Sequence, residues 1–178
     1  MRERGIHGVS VADLMGAAGL THGGFYGHFA SKEALATEAC TQAFADSVAR
    51  WKSRVATQSD GHAALLTLIE GFLSTRSRDH AGTACPTVGF AGDVAREPLD
   101  SPLRAAFRSG TEELVDILTS LQGAGDRGTD RGEALAQLST MVGALVLARA
   151  TAGADVSDEI LSAAREQLSR RIDALPDT

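Results

Sequence analysis

Apolar residues recur along nearly the whole chain at the spacing of one face of an α-helix, and almost nowhere in the alternation of a strand. Val11, Leu14, Met15 and Ala18 stand at i, i+3, i+4 and i+7, the first such face. Ser10 ahead of them and Asp13 three residues on make a capping-box pattern that fixes the start. Gly19 supplies the left-handed residue that stops this short helix. Thr21 can cap a second one, on which Phe25 and Phe29 share a face. Ser31 caps a third and much longer helix, with Glu33 in its first turn where the dipole favours an acid. Its stripe runs Leu35, Phe44, Val48, Trp51, Val55.

After a break at residues 58–61 the helical spacing resumes through Leu65, Leu66, Ile69, Phe72 and Leu73. Residues 82–86 read as a turn into a further helix, with Pro86 at its first position. Ser101-Pro102 repeats that signal and opens a helix from Leu103 to Leu121. Residues 122–132 carry glycine at four positions and read as a loop. Two last helices are expected from about Glu133 to Ala150 and from Ser157 to about Leu175. The fold expected is all-α, with no internal repeat and no heptad zipper.

Composition agrees. The 178 residues are 43% hydrophobic and 22% charged, as in an ordinary globular protein, which argues against disorder. Alanine is abundant and β-branched runs are few, against a β-sandwich or barrel. The net charge of −6 argues against a general nucleic-acid coat. Residues 1–50 hold four basic and five acidic side chains, so the acidity lies mostly beyond them. Two cysteines, Cys40 and Cys85, make no disulfide framework and suit a reducing compartment. The start lacks the apolar core of a signal peptide, and no apolar run approaches the ~18 residues of a membrane span. A cytoplasmic protein with no membrane partner is expected.

Chemistry is sparse. There is no GxSxG, Walker loop or paired cysteine–histidine motif, and Glu112, Glu113 and Asp116 read as a solvated helix face. His7, His22 and His28 match no zinc spacing. No enzyme, metal or cofactor is expected.

The informative stretch is SVADLMGAAGLTHGGFYGHFASKEAL, residues 10–35. Two short helices meet at Ala17-Ala18-Gly19-Leu20, the sequence form of a helix-turn-helix. The second crowds Thr21, His22, Tyr26 and His28 around glycines 23, 24 and 27. Glycine inside a helix costs roughly 1 kcal/mol relative to alanine. Three of them together imply a backbone that something approaches closely, as a duplex groove wall would. Lys32 can reach a phosphate, and the helix N-terminus it opens favours an anion as well.

This stretch resembles the DNA-binding domain of the TetR/AcrR family of bacterial transcriptional repressors. The likeness rests on the Ala17-Ala18-Gly19-Leu20 turn, on Tyr26, His28 and Phe29, and on Ser31-Lys32-Glu33. ACPTVGFAGDVAREP and MVGALVLARA also resemble segments common in one branch of the family. The resemblance implies a helix-turn-helix domain over residues 1–38 and a ligand-binding and dimerisation domain over 39–178. Thr21, Tyr26, His28 and Lys32 would hold phosphates of double-stranded DNA. His22, Gly24 and Gly27 sit where base-reading groups stand, which leaves His22 as the chief side-chain reader. Leu14, Phe25 and Phe29 would be core.

The family has a complete amphipathic helix ahead of the position of Arg2-Glu3-Arg4-Gly5; here the chain begins where that helix should end. Its absence is expected to expose the faces of Leu14, Phe25 and Phe29 and to remove phosphate contacts. The implied function is a homodimeric repressor, released from a pseudo-palindromic operator by a small-molecule inducer. The alternative is a ligand-binding and dimerisation module that no longer binds DNA by itself.

Leu138, Val142 and Leu145, with Leu161, Ala164 and Leu168, are expected at the dimer interface, the alternative being internal core. The inducer pocket is expected among the helices carrying Ile69, Phe72, Phe90, Phe107 and Leu114. Cys85 ahead of Pro86 would be an N-cap, where amide donors and the dipole favour a thiolate. It is read either as a thiol sensor or, preferably, as a small buried apolar residue.

Overall fold

The structure, a computed structural model, describes residues 1–122 and 127–173; the side chains of His22, residues 127–129 and Asp173 lie outside that description. Nine helices and no strand make up the described residues. They are α1 (Val11–Ala17), α2 (His22–Phe25), α3 (Lys32–Val55), α4 (Gly61–Phe72), α5 (Thr75–Asp79), α6 (Pro86–Val94), α7 (Pro102–Ser120), α8 (Arg127–Ala150) and α9 (Asp155–Asp173).

Local sequence sets most of the boundaries. The capping box forms, with Ser10 Oγ accepting from Asp13 N at 3.0 Å and Ser10 N donating to the Asp13 carboxylate at 2.9 Å. Those bonds hold the Asp13 carboxyl below its usual range. Gly19 follows the α1 cap at φ +69°, the left-handed conformation that stops a helix. Thr21, Ser31, Asp60, Ser74 and Ser101 cap the helices that follow them with side-chain oxygens.

The scaffold is α3. Its 24 residues lead out of the N-terminal helices and bury Phe44, Val48 and Trp51 against the other helices. Each large side chain so buried contributes about 1.5–3 kcal/mol. The Phe44 ring meets Phe107 of α7 edge-on at 5.4 Å, and Trp51 meets Phe72 of α4 at 6.3 Å. Gly110 lets α7 lie directly on the Phe44 ring. At the far end, α8 and α9 form a hairpin whose turn carries Gly153 at φ +92°. Ser157 Oγ, buried, closes it on the Ala148 carbonyl at 2.7 Å.

Several expectations change. α2 is only four residues long, so Tyr26, Gly27 and His28 follow it in a turn. The glycine cost in so short a helix, with no long stripe to bury, explains the early end. α8 begins at Arg127, inside the expected loop, and residues 123–126 lie outside the description. Contacts outweigh the glycines there: Arg131 pairs with Asp116 of α7 at 3.0 Å and Ala134 is fully buried. Gln122, expected in the loop, is instead buried and donates to Gln137 at 2.8 Å. α5 has no apolar stripe, so hydrophobic spacing gives no sign of it. The expected end of the last helix at Leu175 lies outside the described residues.

Candidate nucleic-acid interface

α1 and α2 meet through the Ala18–Gly19–Leu20 turn, with Leu20 N bonded to Met15 O at 2.9 Å. Phe25 is fully buried and anchors the unit; its ring meets Tyr26 edge-on at 5.1 Å and Phe29 at 5.6 Å. Met15 and Val9 are buried as well, whereas Leu14 and Phe29 are half-buried. The expectation that Phe25 would be exposed is therefore not met. Residues 1–10 form turns that bury Ile6 and Val9 instead.

Around that anchor the surface is polar and open. Thr21 and His28 are exposed, and Tyr26 is 64% exposed. Lys32 is the first residue of α3. A cation at that end of a helix is disfavoured by the dipole, so α3 gains nothing from a lysine there. The α2 backbone continues through His28 N to Phe25 O and Phe29 N to Phe25 O, both 2.9 Å, which keeps Tyr26 and His28 beside the helix. His22 opens α2, but its side chain lies outside the described residues.

The three glycines have no internal reason. None of them has a positive φ. A Cβ on Gly23 would meet nothing within 4 Å; one on Gly24 would meet only Thr21 Oγ1 at 3.5 Å, and one on Gly27 only the Gly24 carbonyl at 3.4 Å. Alanine would fit at 23 and 24 and would favour the helix. What the small side chains provide is an exposed backbone surface that another molecule can approach.

This unit is gripped from the side by α6. Ile6 N donates to Asp93 Oδ2 at 2.6 Å, and Arg96 donates to the other carboxylate oxygen at 2.9 Å. Gly5, at φ +75°, permits that approach, since a Cβ there would lie 2.9 Å from the same oxygen. His7 Nε2 lies 3.5 Å from Glu97 Oε1, and Arg2 donates to the Ala84 carbonyl at 3.3 Å. Ser101, the cap of α7, donates to Glu33 in the first turn of α3 at 3.1 Å. Asp93→Asn should therefore cost about 1–2 kcal/mol, because a charge-assisted bond is lost at a mostly buried carboxylate. Amide exchange at Ile6 checks it, and unchanged protection there would show that the segment is held some other way.

The sites expected in the body fare differently. Leu138, Leu145, Leu161, Ala164 and Leu168 are all buried in the chain's own core, and Val142 is half-buried against it. The five buried residues pack inside the single chain, and Val142 is the one of the six that keeps part of its surface open. The same helices turn other apolar residues outward: Leu135, Val146 and Leu147 on α8 and Val156 on α9.

Ile69, Phe90 and Leu114 are close-packed core. Phe72 lines a small chamber beside Cys85, Phe107 an open groove of about 590 Å³ between α6 and α7, and Phe90 a groove against Met1 and Arg2. Among the described residues, Phe72, Phe107 and Phe90 line three different cavities. Cys85 does stand at the cap of α6, but it makes no capping bond and is buried. Burial pushes its thiol up, outweighing the bonds from Thr87 and Ser47 that favour the thiolate. Among the described residues no cluster of three His, Cys, Asp or Glu is placed to hold a metal ion, and no helix is long and apolar enough to cross a membrane.

Residues 1–39 match the family model of bacterial regulatory proteins of the tetR family. No curated protein matches the chain in sequence. Among solved structures, the reduced form of NemR from E. coli superposes with a TM-score of 0.81 at 20% identity, covering 99% of this chain and 92% of that one. A TetR-family transcriptional regulator from Agrobacterium tumefaciens gives 0.78 at 22% identity, over 96% and 90%. A TetR regulator from Legionella pneumophila gives 0.77 at 19%, over 93% and 87%. At these identities the structural likeness establishes the fold, and the family model establishes the head. The first 39 residues accordingly match the tetR-family regulatory head, a helix-turn-helix, and it is carried on an all-α body whose fold is that of solved TetR-family regulators.

Proposed function

We propose that the chain acts as a homodimeric repressor, released from a pseudo-palindromic operator when a small molecule binds its body. The head is residues 1–38 and the body residues 39–178. The observation that carries the reading is the polar, glycine-lined surface around α2, whose glycines serve no internal packing. Two such surfaces would enter successive major grooves about 34 Å apart. Thr21, Tyr26, His28 and Lys32 hold phosphates, and His22 reads base edges over the bare backbone of Gly24 and Gly27. The inducer lowers DNA affinity by favouring one arrangement of the heads, with a coupling of about 1–3 kcal/mol. The Asp93–Ile6 and Ser101–Glu33 bonds are the links through which α6 and α7 move the head.

The second copy docks on the outward face of α8 and α9. Leu135, Val142, Gly143, Val146 and Leu147 share one side of α8 at helical spacing, and Val156, Ile160 and Ala163 one side of α9. Gly143 meets nothing within 4 Å, so a facing helix can come close.

DNA binding is tested by fluorescence anisotropy on the promoter nearest the gene and on scrambled DNA, across a salt series. Tyr26→Ala and Lys32→Ala should weaken both DNAs alike, with Lys32→Ala reducing the salt slope by about one. His22→Ala should instead erode discrimination, by about 1–3 kcal/mol at the bases it reads. If the unmodified protein shows no salt-dependent binding, the reading gives way to a dimerising ligand module that does not bind DNA alone.

A further inference from the structure

Between α3, α4 and α6 lies a chamber of about 60 Å³ whose chemistry differs from the rest of the core. Its inner wall is Ser47, Trp51, Phe72 and Cys85, all buried. Arg50 and Arg54 line it from the exposed side of α3. Neither arginine has a carboxylate partner among the described residues; Arg50 reaches only the Thr83 carbonyl, at 3.5 Å.

A third arginine adds to the field. Arg149 of α8 donates to the carbonyl of Ser77, itself a chamber residue, at 2.7 Å. Its Nε is buried with no hydrogen-bond partner among the described residues. Burial lowers the pKa of this guanidinium. Two guanidinium groups, Arg50 and Arg54, thus line one small space to which no Asp or Glu contributes, and Arg149 stands behind its Ser77 wall. A buried donor without a partner carries a desolvation cost that an acceptor would relieve.

We propose that this chamber binds a short-chain carboxylate. Its oxygens take the guanidinium donors of Arg50 and Arg54, in the positive field of Arg149, while its short apolar tail lies against Trp51 and Phe72. The chamber is small, about 60 Å³, and sets guanidinium donors beside two aromatic faces, which suits a small acid with a short apolar tail. Arginine suits this head group because its planar fork matches two carboxylate oxygens. The inference deepens the inducer reading and rests on it only for the link to DNA; binding is measured apart.

Trp51 is the single tryptophan of the chain and lines the chamber, so its fluorescence reports occupancy directly. Sodium acetate is titrated into the full chain at constant ionic strength against sodium chloride, with acetamide as the uncharged isostere. A saturable change with acetate, absent with both controls, is expected. Arg54→Gln, on an exposed side chain, should raise the acetate Kd about tenfold, and Arg149→Gln should raise it too, each with an unaltered circular dichroism spectrum. A linear response, an equal response to acetamide, or an unchanged Kd in Arg54→Gln overturns the proposal. Repeating the titration with operator DNA bound separates the two readings. Saturable binding without DNA release sinks the inducer role and keeps the site; no binding sinks the site and leaves the repressor reading standing.

Discussion

Replacing Gly110 with alanine should lower the thermal unfolding midpoint by about 4–8 °C, although alanine is the better helix former. Gly110 lies in the middle of α7, buried where that helix crosses α3. A Cβ there would stand 2.1 Å from Phe44 Cγ, 2.5 Å from Cδ1 and 2.6 Å from Cβ. These atoms are at the root of the Phe44 side chain, so turning the ring does not clear them. The ring is also held edge-on by Phe107 and is 2% exposed, which leaves it nowhere to go. The helices must part by more than an ångström, and overpacking of this kind costs about 1–3 kcal/mol or more. The helix gains only about 1 kcal/mol from losing a glycine. A net loss near ~2 kcal/mol gives the stated shift, at about 2–4 °C per kcal/mol for a chain of this size.

The control is Gly132→Ala in α8, where a Cβ meets nothing within 4 Å. There the propensity term acts alone, so the same substitution should stabilise by up to about 1 kcal/mol. Calorimetry on both variants checks the pair. Two shifts of the same sign would show that contact with Phe44 is not what decides the outcome at Gly110.

That contrast marks the boundary of what the amino-acid sequence makes legible. Ser10 with Asp13, Gly19, Thr21, Ser31 and Ser101 act on backbone groups within a few residues, so their roles were readable and the structure bears them out. The helix-turn-helix was readable for the same reason. Gly110 and Phe44 stand 66 positions apart in the sequence (110 − 44), and nothing local marks the glycine as a crossing point. α8 shows the other limit. Leu138, Met141 and Leu145 mark one apolar stripe and Leu135, Val146 and Leu147 another, and periodicity alone does not say which one the chain covers itself. The single chain buries the first, which leaves the second open for the proposed partner copy. The arginines of the chamber were invisible for a related reason: Arg50 and Arg54 of α3 meet Phe72 of α4 and Cys85 only when those helices pack together.

The face left open on α8 carries the second large effect. Leu147→Glu should convert a dimer to a monomer at micromolar concentration and cut operator affinity by about 10²–10⁴-fold. Leu147 is 56% exposed in the single chain, so a carboxylate there costs the monomer little. In the proposed two-fold dimer both copies would use the same patch, so each substitution would be met twice, as a charge removed from water without a partner. Loss of the dimer separates the two heads. Binding of the second half-site is then no longer an intramolecular step, and the advantage of linkage, commonly 10²–10⁴-fold, disappears with no change at the DNA surface itself. Leu145→Glu distinguishes this from simple damage. Leu145 is fully buried two residues away, so its substitution should unfold the chain rather than divide it. Sedimentation velocity with circular dichroism reads both variants. A folded dimer that survives Leu147→Glu would place the partner copy on another surface, and with it the spacing of the two recognition turns.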